Sequence, residues 1–176
     1  MPLPGVSVRV ADNNDVPVAA DTIGHIQVKG PNVFKGYWRM PEKTREEFTA
    51  DGFFRTGDMG KFDARGYLTI VGRSKDLVIT GGYNVYPKEI ESLIDEMPGV
   101  VESAVIGVPH PDFGEAVTAV VVMKKGAELS QAEIIQRLKQ DIANYKVPKR
   151  VHFVADLPRN AMGKVQKNVL REMYTA

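Results

Sequence analysis

The chain has 176 residues, of which 43% are hydrophobic and 26% charged, and its net charge is +1. These values are ordinary for one large domain or two small ones, and they exclude a strong global field directed at DNA, membranes or an acidic partner. The absence of cysteine excludes disulfides, thiolate metal sites and cysteine nucleophiles. No apolar run approaches the roughly 18 residues that span a bilayer, and the opening MPLPGVSVRV lacks a signal-peptide core. We therefore expect a cytoplasmic protein.

Residues 1–72 are predicted to be rich in β-strand. GVSVRV and GHIQVKG alternate apolar and polar residues, and GFFRTGDMGKFDARGYLTIVG is typical of two strands around the turn DARG. PEKTREEF, residues 41–48, is a short polar helix with proline in its first turn. The strands carry few long apolar runs, too few to close a core alone. We expect part of a β-barrel, incomplete without further strands.

From residue 87 the apolar spacing becomes helical and then alternates with strands. PKEIESLIDEMPG predicts a helix that ends at Pro98-Gly99, and VVESAVIGV and AVTAVVVM predict two strands joined by the loop PHPDFGE. A third strand is expected at RVHFV. The overall class is α+β, with a partial barrel followed by a compact α+β domain of about 100 residues.

Two further helices are predicted near the end of the chain. Ser130 and Glu133 have the spacing of a capping box, and the helix that they begin is expected to bury three residues, Ile135, Leu138 and Ile142. The last helix is expected to have an apolar edge formed by Val165, Val169 and Met173. The boundary between the two halves is expected within GRSKD, residues 72–76.

Three segments carry candidate site residues. In FFRTGDMG, Asp58 is expected in a tight turn after a strand, where its carboxylate could accept two hydrogen bonds from adjacent hydroxyls such as those of a ribose. Taken alone, the pattern favours the simpler interpretation of an aspartate that stabilises a β-turn, where this residue type is common. In GRSKDLVITGGYNVYPKEIE, the paired Gly81 and Gly82 indicate either a close approach to a ligand or an ordinary hairpin turn.

The third segment, DLPRNAMGKVQKNVLR, places Lys164 after a glycine and just before a helix. It is not a phosphate-binding P-loop, because Pro158 stands where the first glycine is needed and Val165 where Ser or Thr is needed. Between residues 139 and 171, eight basic residues face two acidic ones, a local charge of +6. This region is either a solvated face or a site for a phosphate-rich ligand.

The three histidines are a separate question. His25, His110 and His152 lack metal-ligand spacing and are interpreted as structural.

Each of these segments alone is weak evidence of a function, but their order along the chain is specific to one family. GHIQVKGPNVFKGYW, FFRTGDMG, GRSKDLVITGGYNVYPKEIE and NYKVPKRVHFVADLPRNAMGKVQKNVLR together resemble the C-terminal third of the adenylate-forming enzymes, a superfamily that includes acyl-CoA synthetases. The amino-acid sequences of GGYNVYPKEIE and LPRNAMGKVQKNVLR most resemble those of malonyl-CoA synthetases, with medium- and long-chain acyl-CoA ligases as near alternatives. The resemblance implies a two-step reaction, in which ATP and an acid give an acyl-adenylate and CoA then displaces AMP.

The resemblance also implies roles for individual residues. Asp58 would hold the ribose hydroxyls of ATP or AMP, and Arg73 would contact the nucleotide near ribose and phosphate. Lys164 would be the catalytic lysine that meets the α-phosphate and the substrate carboxylate during adenylation. Gly81 and Gly82 would line the path of the CoA pantetheine, and the basic region would also meet CoA phosphates.

The resemblance divides the chain at a hinge. Residues 1–74 would be the end of a large N-terminal domain, residues 75–176 a mobile C-terminal domain, and Lys75 the hinge residue. The phosphate loop, the adenine-binding segment, the acyl pocket and the Mg²⁺ ligands would precede residue 1, so we expect a fragment that is inactive alone. Expected partners are ATP, CoA and a small carboxylic acid, and a lysine acetyltransferase that acts on Lys164 is a further expectation.

Two other classes of function fit some of the residues. The +6 region could bind nucleic acid, but it lacks interleaved aromatic residues and matches no known reader fold, so no nucleic-acid partner is expected. A non-catalytic docking domain is the other class. It would need none of Asp58, Arg73 and Lys164, all of which are present.

Overall fold

A computed structural model describes residues 2–175 and divides the chain into two compact units, Met1–Lys75 and Asp76–Ala176. The α+β class predicted from the sequence is confirmed. The assignment of residues 1–74 and 75–176 to a larger and a mobile domain stays a prediction.

The first unit is an open antiparallel sheet of four strands in the order β1-β2-β3-β4. Its strands are β1 (Ser7–Ala11), β2 (Gly24–Lys29), β3 (Phe54–Phe62) and β4 (Leu68–Arg73), with the helix α1 (Pro41–Glu47) between β2 and β3. Strands β3 and β4 follow one another around DARG, as the sequence predicts. The sheet is not closed into a barrel.

Apolar burial in the first unit is sparse. Among the described residues of this unit, the buried hydrophobic side chains are Val10, Ala11, Ile26 and Met59. Much of the rest is polar: the fully buried Gln27 accepts a hydrogen bond from Arg9 Nε at 2.7 Å and donates to Asp15 at 2.6 Å. Asp15 is also ion-paired with Arg55, and hydrogen bonding from that guanidinium holds the pKa of Asp15 below its usual value. Hydrogen bonds and an ion pair between polar side chains therefore stabilise the centre of this sheet, where apolar packing is sparse.

The second unit is a five-stranded sheet with helices on both faces. It contains β5 (Val78–Thr80), β6 (Tyr83–Val85), α2 (Pro87–Asp95), β7 (Val100–His110), β8 (Gly114–Met123), α3 (Gln131–Asp141), β9 (Arg150–Val154) and α4 (Lys167–Tyr174). The strand order is β6-β5-β8-β7, and β9 pairs with β8 in the parallel sense while the other pairs are antiparallel.

The two faces of this sheet have separate apolar cores. One core joins Ile90 and Ile94 of α2, Leu138 of α3, and inward residues of the sheet such as Val105 and Val117. The other places Leu170 of α4 against Ile106, Val120 and Leu157. Near-continuous apolar runs in β7 and β8 supply both cores, because successive side chains point to opposite faces.

Two details of the helix predictions are wrong. The capping box of Ser130 and Glu133 is present, but α3 buries Ile134 and Leu138, while Ile135 and Ile142 are only partly buried. In α4 the buried residue is Leu170, Met173 is 58% exposed, and Val165 precedes the helix. The loop PHPDFGE is also shorter than predicted, because β7 continues to His110 and β8 begins at Gly114.

Candidate active site

Asp58 and Arg73 form a pair on the β3–β4 ribbon of the first unit. They are opposite one another in the strand register, and Arg73 Nε donates to Asp58 Oδ1 at 3.0 Å. The prediction of a turn at Asp58 is wrong, because the residue lies within β3. The local backbone is nevertheless irregular: Gly57 has φ of 76°, and the β3–β4 register shifts between Met59 and Gly60. A bulge of this kind redirects side chains out of the regular pleat.

The Asp58–Arg73 pair retains capacity for a ligand. The side chains are 29% and 53% exposed, and within residues 2–175 neither Asp58 Oδ2 nor the two Nη groups of Arg73 has a hydrogen-bond partner. A carboxylate oxygen that accepts from hydroxyls, beside a guanidinium that donates to phosphate, is a suitable combination for the ribose-phosphate part of a nucleotide.

Lys164 lies in a loop whose backbone is closely hydrogen-bonded. Asn160 Oδ1 accepts from the backbone N–H groups of Met162 and Lys164, both at 3.0 Å, and Asn160 N donates to Lys164 O at 3.0 Å. Arg159 donates to Gly163 O at 2.7 Å and is ion-paired with Glu102 of β7. Gly163 has φ of 77°, a conformation that favours glycine. The loop is therefore preorganised by its own side chains.

The ammonium group of Lys164 is free within this rigid loop. Lys164 is exposed, and it forms no ion pair with any residue from 2 to 175. An unpaired cation held on a fixed backbone is suited to an anionic ligand or to a transition state in which negative charge gathers.

The sequence analysis did not predict that Asn160 and Arg159 hold the loop. An asparagine three residues before a glycine was the available signal, because asparagine side chains commonly close such turns.

Gly81 and Gly82 form the turn of the β5–β6 hairpin. Their φ values are 55° and 81°, Gly81 N donates to Phe113 O at 2.8 Å, and no atom lies within 4 Å of a Cβ placed on either residue. The hairpin turn weighed in the sequence analysis is thus present. Its bare, exposed backbone also leaves room for the close approach of a ligand.

The glycine turn and the Lys164 loop lie at opposite ends of the second sheet. Gly81 contacts Phe113, beyond the last residue of β7, whereas Arg159 is bonded to Glu102 near the start of that strand. The eight steps from Glu102 to His110 span roughly 26 Å at the rise of an extended strand. One unit therefore presents two separate surfaces. Lys75, the predicted hinge residue, is exposed in the single 3-10 turn Ser74–Asp76.

Ion pairs neutralise half of the basic region predicted at residues 139–171. Lys146 binds Glu89, Arg159 binds Glu102, Lys167 binds the buried Glu91, and Arg171 binds Asp76. All four acidic partners precede residue 139, so a local charge count could not include them. Among the described residues, the basic side chains of this region without an ion pair are Lys139, Lys149, Arg150 and Lys164.

The described residues offer no metal centre and no membrane span. No group of three or more His, Asp or Glu side chains within residues 2–175 is arranged to hold a metal ion. Over the same range, no helix is long and apolar enough to cross a bilayer.

Comparison with known proteins shows which families the chain is similar to. A profile of the AMP-binding enzyme C-terminal domain matches residues 89–164. The chain is 43% identical over 183 residues to malonate–CoA ligase of Arabidopsis thaliana, covering 97% of this chain and 29% of that protein. It is 48% identical over 153 residues to the long-chain-fatty-acid–CoA ligase FadD13 of Mycobacterium tuberculosis, covering 87% of this chain and 30% of that protein.

A solved structure is similar in both sequence and fold. ATP-bound MatB from Rhodopseudomonas palustris is 67% identical and matches with a TM-score of 0.93 over 98% of this chain and 35% of that chain. This chain spans about a third of the length of the relatives that it matches. The chain belongs to the adenylate-forming superfamily of acyl-CoA ligases, and residues 89–164 match its C-terminal domain.

Proposed function

We propose that the chain serves in an AMP-forming acid–thiol ligase that converts a small dicarboxylic acid, malonate, to its CoA thioester. The similarity to ATP-bound MatB over nearly the whole chain is the observation that carries this proposal. The malonate–CoA ligase of A. thaliana supports the choice of acid. A longer fatty acid is the second candidate, because FadD13 is similarly related.

In this proposal Asp58 and Arg73 bind the nucleotide. The free oxygen of Asp58 accepts hydrogen bonds from the ribose hydroxyls, and Arg73 holds the carboxylate in place through Nε while its Nη groups face ribose and phosphate. Adenosine triphosphate and CoA are the co-substrates. Mg²⁺ would neutralise the phosphates, and its ligands are expected outside this chain.

Lys164 is the proposed catalytic residue of the first step. The acid's carboxylate attacks the α-phosphorus of ATP, the bond between that phosphorus and the bridging oxygen breaks, and pyrophosphate leaves. Negative charge gathers on the α-phosphate oxygens, where a fixed ammonium stabilises the transition state more than the ground state. The hydrogen bonds that Asn160 Oδ1 accepts from Met162 N and Lys164 N hold the loop, so little reorganisation accompanies the reaction.

Gly81 and Gly82 are proposed to act in the second step. The CoA thiol attacks the acyl carbon of the adenylate and AMP leaves. The open space around both glycines would admit the thin pantetheine chain, which any side chain at these positions would obstruct. Because the two surfaces lie at opposite ends of β7, a rotation about Lys75 between the steps is proposed to bring each in turn to the reacting atoms.

The proposal is tested by exchange into a complete enzyme. The chain replaces the corresponding third of R. palustris MatB, and malonyl-CoA and pyrophosphate are measured with malonate and with a C16 fatty acid. We expect malonyl-CoA from the exchanged enzyme and none from the isolated 176-residue chain. The same exchange carrying Lys164→Ala is the matched control. A folded, exchanged enzyme without ligase activity would count against the proposal, as would turnover by the isolated chain.

A further inference from the structure

Two of the ion pairs of the basic region lie on either side of Lys164. Arg159, five residues before Lys164, is paired with Glu102. Lys167, three residues after it, is paired with Glu91. Both carboxylates belong to regular elements, Glu102 to β7 and Glu91 to α2. The exposed loop that carries Lys164 is therefore joined at both ends to the folded part of the second unit.

The pair formed by Arg159 and Glu102 acts directly on the loop. One guanidinium nitrogen, Nη1, donates to Gly163 O at 2.7 Å, while Nη2 donates to the carboxylate of Glu102. Because the guanidinium is planar and its N–H groups have a fixed geometry, the two contacts are held relative to one another. Gly163 O belongs to the peptide that precedes Lys164 N, so a displacement of Arg159 displaces the backbone of Lys164.

The pair formed by Lys167 and Glu91 is largely buried, with side chains that are 18% and 9% exposed. Glu91 Oε1 also accepts a hydrogen bond from Val105 N at 2.9 Å. Strand β7 lies at the edge of the sheet, and Glu91 provides the acceptor that a further strand would otherwise supply. Glu91 is therefore fixed by the backbone of the sheet, and in turn it fixes the first residue of α4.

The two carboxylates act at neighbouring points of one strand. Glu102 and Val105, the residue to which Glu91 is bonded, are three positions apart, roughly 10 Å along β7. The chain that they hold turns back on itself, since Arg159 pairs with Val165 as an isolated antiparallel bridge. Val165 also packs against the core on the α4 face, but that contact is non-directional. Among the described residues, the directional side-chain contacts that join this turn and the start of α4 to other elements are those with Glu91 and Glu102.

We propose that Glu91 and Glu102 are positioning residues, which hold the ammonium of Lys164 at a fixed place relative to the sheet without touching substrate. This role rests on the proposed function, in which Lys164 stabilises the transition state of adenylation. A preorganised charge is effective only where negative charge gathers, and a displacement of about 1 Å can cost on the order of 10² in rate. Partly exposed ion pairs usually add little to stability, so Glu102 is expected to contribute mainly to the placement of the loop.

The placement of the loop is measured first in the 176-residue chain, without any reaction. Backbone ¹⁵N relaxation gives order parameters, which are about 0.85 for a rigid backbone and below about 0.6 for a flexible one. We expect Glu102→Ala to lower the values of Gly163 and Lys164 into the flexible range while β7 and β8 stay rigid. Glu89→Ala, which breaks the ion pair with Lys146 elsewhere in the unit, is the matched control and should change none of these values. Unchanged order parameters in Glu102→Ala would overturn the proposal.

The two half-reactions are then measured in the exchanged MatB enzyme. Glu102→Ala should slow adenylation by about tenfold or more, and should affect thioester formation from preformed acyl-adenylate much less. Glu102→Gln keeps an acceptor for Arg159 and should recover most of the loss. If the exchanged enzyme is active, equal losses in both half-reactions with Glu102→Ala would show a merely structural role and overturn the proposal. An exchanged enzyme that is inactive without further substitution would contradict the proposed function, while the order parameters would still decide whether the glutamates hold the loop.

Glu91 is tested with a double substitution, because Glu91→Gln alone leaves the largely buried Lys167 charged and without its partner, which destabilises the unit. Glu91→Gln combined with Lys167→Met removes both charges, and the new side-chain amide can still accept from Val105 N. This variant should unfold cooperatively in urea and show the same lower order parameters and slower adenylation as Glu102→Ala. Parent values of both quantities in the folded double variant would overturn the role of Glu91.

Discussion

At the scale of single residues, the most specific prediction concerns the effect of replacing Lys164. Its ammonium is unpaired among the described residues, and its loop is held by Asn160 and Arg159. In the full-length enzyme, Lys164→Ala should slow adenylate formation by on the order of 10²–10³, by analogy with loss of an oxyanion donor, and should affect thioester formation much less. Pyrophosphate release measures the first step, and CoA added to preformed acyl-adenylate measures the second.

A matched substitution keeps this prediction specific. Lys125→Ala removes another exposed lysine of the same unit and should leave both half-reactions unchanged. Equal losses in the two half-reactions with Lys164→Ala would contradict the assigned role, and so would no loss in either. Acetylation of Lys164 would remove the same charge and should reproduce the alanine effect.

His152 should make the second unit sensitive to pH. Burial, and secondly the positive charge of Arg150, lower the pKa of His152 below its usual 6.5. The unfolded chain therefore binds this proton more readily than the folded one, so the stabilisation is complete above about pH 6.5 and is lost as pH falls through the folded pKa. The urea midpoint should decrease between about pH 7 and pH 5, the range in which histidines titrate.

Two histidine variants test the source of this decrease. His152→Phe keeps an aromatic ring against Tyr174 and should make the urea midpoint nearly independent of pH over this range. His25→Gln changes a histidine of the first unit, which is hydrogen-bonded to Asn13, and should keep the dependence. A decrease of the same size in His152→Phe would assign the effect to other groups.

Some of the functional residues could be predicted from local sequence, whereas the ion pairs of the basic region could not. Lys164, Gly81 and Gly82 could be selected from sequence, because glycine beside a lysine or another glycine is a local signal. The partners of the basic residues could not, since Glu89, Glu91, Glu102 and Asp76 lie 57 to 95 positions away from Lys146, Lys167, Arg159 and Arg171. Charge counted over a window overstated the positive surface for this reason.

At the scale of elements, α3 provides a test of local stabilisation. Ser130 accepts from Glu133 N at 3.3 Å and donates its own backbone N–H to Glu133 Oε2 at 2.8 Å. Ser130→Ala should destabilise the second unit by about 1 kcal/mol, the usual cost of a lost N-cap. Urea denaturation measures the change in the free energy of unfolding.

A serine inside a helix serves as the control for Ser130. Ser92 lies within α2, and its hydroxyl donates to Lys88 O at 2.9 Å, a bond that satisfies no free helix end. Ser92→Ala should change stability by less than about 0.5 kcal/mol, as is usual for exposed positions. Equal destabilisation by the two variants would mean that the capping box contributes nothing specific.

The existence and order of elements could be predicted, but the buried faces could not always be. Alternation identified β1 and β2, because half-buried strands repeat every two residues, and short runs rich in β-branched residues identified β7, β8 and β9. The choice between Ile134 and Ile135 in α3 depends on the rotation of the helix over the sheet, which one sequence does not determine. The TGD segment predicts a turn at Asp58, whereas in the structure Asp58 lies within β3, next to a register irregularity between Met59 and Gly60.

At the scale of the whole molecule, the two units differ in how they are stabilised. The first has four buried hydrophobic side chains among its described residues, together with the polar group around Gln27. The second has two apolar clusters, and neither includes a residue before Val78. Because burial of apolar area is the main favourable term in folding, the second unit should be the more stable one.

We therefore expect residues 76–176 to fold alone. About 100 residues with two apolar cores are enough for an independent domain. Arg171 also holds Asp76, with Nη2 and Oδ1 3.1 Å apart, so the unit is secured from its first residue. Limited proteolysis of the 176-residue chain should cut near residues 72–76 and leave a resistant C-terminal piece. That piece, expressed alone, should unfold cooperatively in urea, with a midpoint close to that of the second unit in the intact chain. A resistant core that includes both units, or an isolated piece without cooperative unfolding, would show that the two depend on one another for stability.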